Sequence, residues 1–215
     1  MSKPKEIPTT SFSINTLDRL DTITARLKYV NKYFKKLSTG SSRMVYEYNQ
    51  NIVLKLAWNR KGLNQNKFES SIYLRKKYQF ILASVYKAHH KGYYNLQQKA
   101  KPLNRQLFNN IFGIPFYLYS NYFKYLDIQK NSDAGYSEEE VDFINNMMTS
   151  DGIKRVENNW FFKKVLEFAK VTDLLLGDLA DEDSYGIVTG QDGKEKIVIV
   201  DYGISNKIYQ DVYIN

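Results

Sequence analysis

Four charged residues, far apart along the chain, have types and neighbours suited to phosphate chemistry. Lys55 stands inside the apolar run Ile52-Val53-Leu54-Lys55-Leu56-Ala57, where an ammonium is costly unless it reaches water, an acid or a phosphate. Glu69 lies in the next stretch of helical spacing, with Gln65 and Ile72 on its own face. Asp178 follows the apolar stretch that ends in Leu175-Leu176-Gly177. Asp201 ends the apolar run Val198-Ile199-Val200 and is followed at once by Tyr202-Gly203. A glycine there lets the chain turn. The carboxylate is then left at the mouth of a cleft, where Mg²⁺ takes one or two carboxylates and completes its shell with phosphate oxygens. Each feature alone has an ordinary explanation. Lys55 reads as a surface lysine, Gly-Asp and Asp-Tyr-Gly as the ends of elements, and Asp181-Glu182-Asp183 as a solvated loop.

Hydrophobic periodicity supplies the elements that must carry these residues. Residues 1–12, with two prolines and several small polar residues, read as flexible. From Ser13 to about Leu37, the residues Leu17, Leu20, Thr24, Leu27, Asn31 and Phe34 recur three or four apart. That spacing predicts an amphipathic helix, docked on the following domain or, alternatively, binding nucleic acid. Ser38–Ser42 is a turn. Met44–Tyr48 and Asn51–Ala57 are strands joined by a hairpin turn at Tyr48-Asn49-Gln50-Asn51. Past a break at Gly62, Leu63 to about Tyr78 is a helix, and Ile81–His89 with Tyr93–Ala100 form a second hairpin.

Pro102 ends this sheet region, and Leu103–Leu176 is mainly helical, interrupted at Gly113-Ile114-Pro115 and over 131–137. Ser137 caps a helix whose first turn carries Glu138, Glu139 and Glu140, acids that favour the positive end of the helix dipole. Trp160–Leu176 is a buried helix running into Gly177-Asp178. Tyr185–Thr189 and Lys196–Val200 are strands flanking a turn at 190–193. The class is α+β, divided near residue 101 into a sheet-rich first part with one helix and a helix-rich second part.

Composition narrows the partners. The 43% hydrophobic and 15% aromatic content suits a packed core rather than a disordered tail. A formal charge of +8 would attract nucleotides, nucleic acid or an acidic protein. The zinc, basic-zipper and aromatic RNA-reading motifs of sequence-specific nucleic-acid binders are absent. Without cysteine, disulfides and thiolate metal sites are excluded. No apolar run approaches the roughly 20 residues of a membrane span, and residues 1–15 lack the apolar core of a secretory signal. The expected compartment is the cytoplasm, or a virus particle assembled there.

The order of these features resembles the protein-kinase-like superfamily, which includes aminoglycoside and choline phosphotransferases. STGSSRMVY is similar to a reduced glycine-rich loop with one glycine where three are usual, and VLKLA to the strand bearing a phosphate-binding lysine. QNKFE resembles the helix bearing its glutamate partner, LQQKAKPL the last sheet strand leading into an interlobe hinge, LGDLADEDS a catalytic loop, and DYG the metal-binding Asp-Phe-Gly. The likeness spans roughly residues 37–205. It implies a two-lobed kinase-like fold: a flexible 1–12, an N-terminal helix over 13–37, an N-lobe over 38–101 and a truncated, mainly helical C-lobe over 102–215. It further implies ATP and Mg²⁺ as ligands. Lys55 would contact the phosphates and be held by Glu69, and Asp178 would accept or orient the proton of an acceptor hydroxyl. Asp201 would bind the metal. Backbone amides at Gly40, Ser41 and Ser42 would cover the phosphates, while Lys99 and Ala100 would line the hinge.

The family's second metal ligand is an Asn five residues after the catalytic Asp. Here Asp183 stands at that position with Ser184 beside it, and either could serve. Leu176 and Gly177 replace the usual His-Arg before that Asp, and only residues 204–215 follow the DYG glycine. The resemblance therefore leads to a minimal Mg²⁺-dependent phosphotransferase with an unknown protein or small-molecule acceptor. Its rival is a catalytically inactive pseudokinase acting as a binding or structural module, such as a phage virion component. A protein that binds nucleic acid by charge alone is a third reading.

Overall fold

The computed structural model describes residues 11–130, 135–190 and 192–210. Its first half contains α1 (Ile14–Arg19), α2 (Ile23–Tyr33), β1 (Lys36–Thr39), β2 (Arg43–Glu47), β3 (Ile52–Ala57), α3 (Arg60–Leu74), β4 (Val85–Ala88) and β5 (Tyr94–Gln98). The second half contains β6 (Lys101–Pro102), α4 (Arg105–Phe112), α5 (Phe116–Lys130), α6 (Glu138–Met147), α7 (Ser150–Asn158) and α8 (Trp160–Thr172). It ends with α9 (Leu176–Ala180), β7 (Tyr185–Thr189), β8 (Glu195–Ile199) and α10 (Asn206–Tyr209). The fold is α+β, with all ladders antiparallel in a five-stranded sheet ordered β1-β2-β3-β5-β4 and a three-stranded sheet ordered β6-β7-β8.

Strand β3 explains the first half. Every residue from Val53 to Ala57 is buried, so the strand is covered on both faces rather than one. Register sorts its neighbours: Arg43 opposes Ala57, Val45 opposes Lys55, and on the other side Asn95 and Gln97 oppose Lys55 and Val53. Directly opposed residues share a face. One face thus carries Arg43, Val45, Val53, Lys55, Asn95 and Gln97. The other carries Tyr46, Leu54, Leu56, Tyr94 and Leu96, which pack with Leu17 of α1 and Val30 of α2 into one apolar cluster.

Helix α3 crosses the first of these faces. Asn59 caps it by accepting from the Gly62 amide at 3.0 Å, and its buried stripe Gln65, Asn66, Glu69 and Ile72 is mostly polar. The sheet and its loops satisfy that stripe. Asn66 Nδ2 donates to the carbonyls of Lys55 and Gly92, and Ser42 Oγ donates to Gln65 Oε1.

The second half has its own core, centred on Phe108, Tyr119, Phe123, Phe161, Phe162 and Phe168. Its small sheet is tied to the first half where the Ala83 amide donates to the Ile199 carbonyl at 2.9 Å. Among the described residues no helix is long and apolar enough to cross a membrane.

Several elements depart from the sequence expectation, each for a local reason. The helix expected over 13–37 is two: α1 ends at Leu20, and Thr22 caps α2 by accepting from the Ala25 amide at 3.1 Å. Its last residues form β1, an edge strand exposed throughout. Residues 1–10 of the flexible segment lie outside the described residues, while Phe12 packs edge-on to Phe34 and Tyr48. Pro102 belongs to a strand of the second sheet, begun by Lys101, instead of only ending the first. Residues 131–134 of the expected interruption before Ser137, and Gln191 of the turn at 190–193, lie outside the described residues. Ser137 caps α6 through a full capping box with Glu140.

Gly62 is no helix break. It lies in the first turn of α3, and a Cβ there would sit 2.2 Å from the Ser42 carbonyl oxygen and 3.0 Å from Ala57 Cβ. The glycine lets α3 press against both β3 and the loop before β2. Gly62→Ala is expected to lower the unfolding free energy by about 1–3 kcal/mol, the usual cost of overpacking. Denaturant titration reads this directly, and a gain in stability from the better helix former would show the contact to be slack.

Candidate functional site

The sheet face described above brings two cations together over α3. Lys55 Nζ lies 3.0 Å from Glu69 Oε1 and donates to the Val200 carbonyl at 2.6 Å. Arg43 places Nη1 2.7 Å from the same Glu69 oxygen and Nη2 2.7 Å from Asp201 Oδ1. Glu69 is fully buried and also accepts from Asn95 Nδ2 at 3.3 Å. Residues from β2, β3, α3 and the segment after β8 therefore meet in one cluster of two cations and two carboxylates.

Electrostatics follow from that packing. Burial draws the Lys55 ammonium below the usual lysine range even though Glu69 pulls the other way. Burial also works to raise Asp201, but the positive charges of Arg43 and Lys55 overcome it and hold the carboxyl down at about 2. Asp201 is thus ionised at neutral pH, and its side chain remains 49% exposed.

Asp178 behaves in the opposite way. Burial, then the negative charges of Asp201 and Asp181, push it up to about 7 against a smaller opposing pull from Arg43. It sits in the five-residue helix α9, not at the end of the preceding long helix. Helix α8 stops at Asp173, whose φ of 55° is left-handed. Side chains hold the carbonyls of α9: Ser184 Oγ donates to Asp178 at 2.6 Å, Tyr185 to Leu179 at 2.7 Å and Ser120 to Ala180 at 2.6 Å.

Two cavities flank this cluster. The first, about 580 Å³, is walled by Gly40, Val45, Val53, Lys55, Lys99, Ala100, Asp183, Gly186 and Asp201, among others. The second, about 770 Å³, is walled by Arg105, Tyr117, Lys124, Asp127, Tyr136, Gly177 and Asp181, and shares Glu182 and Asp183 with the first. Asp178 lines neither, although Gly177 and Ala180 on either side of it face the second. Gly186 lets β7 pack closely against Ala100 on the wall of the first cavity, since a Cβ there would lie 2.6 Å from Ala100 Cβ.

The structure thus gathers Lys55, Glu69 and Asp201 tightly, with Asp178 close enough to Asp201 to feel its charge. Lys99 and Ala100 line the first cavity. The Lys99 amide donates to Asn51 at 2.8 Å, and its ammonium pairs with Glu47.

The loop at Gly40, Ser41 and Ser42 departs from expectation. The Gly40 amide donates to the Arg43 carbonyl at 2.9 Å, and the three carbonyls accept from Trp58 and Asn59. None of the three has positive φ, so the alternating-handed backbone of an anion nest is not formed there, and only Gly40 reaches the cavity wall.

Carboxylates on the first cavity are Asp201, the exposed Asp183 and Glu182, the last of which pairs with Arg105. Ser184 is buried, its hydroxyl donated to Asp178 and its carbonyl accepting from Val200. Of the two residues the sequence left open, the geometry leaves Asp183 as the accessible donor. Sequence reasoning missed Arg43. Its signal was available in the pairing of the hairpin, which puts it on the same sheet face as Lys55. Compared with models of known protein families and with curated proteins, the chain matches none of them.

Proposed function

We propose that the chain is a minimal kinase-like phosphotransferase, a sheet-and-helix lobe over a mainly helical lobe, that moves a phosphoryl group from ATP to a hydroxyl acceptor. One observation carries this reading: Lys55 and Asp201 face the same cavity, with Glu69 bonded behind the lysine. Lys55 would offset phosphate charge, and Glu69 keeps its ammonium from drifting. Asp201 and Asp183 would hold Mg²⁺, which when bound neutralises charge on the phosphates. Asp178, with its raised pKa, suits a group that takes or orients the proton of an acceptor hydroxyl. The second cavity, polar and adjoining through Glu182 and Asp183, is where a small acceptor would lie.

A second reading has its own support. Arg43 occupies one oxygen of Asp201, which suits the vestigial metal site of a pseudokinase that serves as a binding or structural module. The net charge of +8 then favours an acidic protein partner. Both readings fit a protein of the host cytoplasm or of a phage particle.

Melting the protein with and without ATP and Mg²⁺ tests the shared premise. A ligand bound only to the native state at 100 times its Kd adds about 2.7 kcal/mol, a rise of about 5–10 °C for a chain of this size. Lys55→Met should abolish the rise. An unchanged melting temperature in the wild type overturns the nucleotide reading. A rise without transfer from labelled ATP to any component of a cell lysate selects the binding module.

A further inference from the structure

The side chain of Arg43 lies deep in the site with no role in the phosphotransferase reading above. It is 6% exposed, with Nη1 2.7 Å from Glu69 Oε1 and 3.4 Å from Asn66 Oδ1, and Nη2 2.7 Å from Asp201 Oδ1. The surroundings are shaped for the guanidinium. A Cβ on Gly203 would stand 3.2 Å from Arg43 Nη1, 3.2 Å from Glu69 Oε1 and 3.0 Å from Gln65 Cβ. The lack of a side chain at Gly203 therefore leaves the room that the Arg43–Glu69 pair fills.

With Lys55, Glu69 and Asp201, this arginine makes a group whose formal charges cancel. A divalent cation arriving alone at Asp201 would add positive charge beside a buried guanidinium. Phosphates arriving alone would add negative charge beside two committed cations. A guanidinium fork matches phosphate oxygens as well as carboxylate, so phosphates offer Arg43 an exchange that a metal ion does not.

We propose that Arg43 is a positioning residue that guards the metal carboxylate: it holds Asp201 while the cavity lacks phosphate, and releases it when phosphate oxygens take the guanidinium. Divalent cation and nucleotide then strengthen each other's binding through this one side chain, by the same factor in each direction. The handover half of the proposal rests on the nucleotide reading above. The guarding half does not.

The test is titration of the full chain with Mn²⁺, free metal being read by electron paramagnetic resonance, without and with a non-hydrolysable ATP analogue. In the absence of nucleotide, Arg43→Met is expected to bind Mn²⁺ at least tenfold more tightly than wild type, and adding Asp201→Asn should cancel the gain. Arg43→Gln, which keeps a hydrogen-bonding head without the charge, should show the same gain and carries the test if Arg43→Met does not melt cooperatively. Arg43→Lys, which retains a cation, should stay within threefold of wild type. In wild type the analogue should strengthen Mn²⁺ binding severalfold more than it does in Arg43→Met. Equal Mn²⁺ affinity in wild type and both neutral variants overturns the guarding role whatever the nucleotide does. Guarding confirmed in a wild type that binds no nucleotide overturns the handover and the nucleotide reading together.

Discussion

Glu69→Ala is expected to lower the unfolding free energy by about 3–5 kcal/mol, which for a chain of this size lowers the melting temperature by about 10 °C. The carboxylate is fully buried and accepts from Lys55, Arg43 and Asn95. Its loss leaves Lys55, itself 6% exposed, with the Val200 carbonyl as its partner. It also leaves Arg43 with Asp201 and the longer contact to Asn66. Two buried cations then face each other with one half-exposed carboxylate between them. The cost comes mainly from those stranded charges and not from the lost attraction, because a buried pair gains little net free energy over apolar residues of similar size.

That distinction can itself be measured. Removing the whole cluster, with Glu69→Leu, Lys55→Met and Arg43→Met together, should be far less destabilising than Glu69→Ala alone, and should recover much of the lost melting temperature. If the triple variant is as unstable as the single one, the polar contacts of α3 with the sheet carry the stability instead. The comparison matters for function as well. A cluster that is neutral for stability yet held at 2.6–3.0 Å between four segments is better explained by a ligand than by the fold.

Much of the first half was legible because its signals are local. The hairpin turn at 48–51 and the apolar run from Ile52 place β2 and β3 within a residue of where they lie, and the spacing of Glu69 from Gln65 and Ile72 places the acid on the buried face of α3. What escaped depends on three-dimensional neighbours. Thr22 sits inside an unbroken apolar stripe, so periodicity alone reads through the cap that divides α1 from α2. Strand β1 is an exposed edge of mixed residues, held by pairing with β2 and carrying no period of its own. Gly62 reads as punctuation in one dimension, whereas its meaning is the 2.2 Å gap to a carbonyl from a different segment.

The site shows the same division. Lys55 and Asp201 could be named because each interrupts or ends an apolar run, and Glu69 because its helical spacing and the QNKFE motif set it as the partner of that lysine. Arg43 was missed because an arginine beside Ser41 and Ser42 looks like any loop cation until the hairpin's pairing is carried past Val45, where the ladder sets it diagonally across from Lys55. The turn at 40–42 was expected to offer amides to phosphate. Its Gly40 amide turns back to the Arg43 carbonyl, and Trp58 and Asn59, which immediately follow β3, pin its carbonyls, contacts that only the folded hairpin creates.

Asp178→Asn is expected to move stability and activity in opposite directions. An unfolded aspartate titrates near 3.9, whereas burial and the nearby acids push Asp178 up to about 7 in the fold. Between about pH 4 and about pH 7 the folded chain therefore holds a proton that the unfolded chain has released. Stability falls as pH rises through that window, by the linkage of bound protons to unfolding. Asparagine cannot ionise, so the variant should gain on the wild type across the same window and level off above it, by on the order of 2–4 kcal/mol. Under the proposed phosphotransferase reading, activity follows the other form. A group that must take the hydroxyl proton works as the carboxylate, so kcat/KM for phosphoryl transfer should climb with pH to a plateau above about 7. The variant should lose about 10²–10⁴-fold in rate together with that rising limb. Chemical denaturation at several pH values and a pH–rate profile read the two arms separately. A variant that is stabilised yet fully active shows Asp178 to be a strained structural acid, and one that is neither stabilised nor impaired removes it from the site altogether.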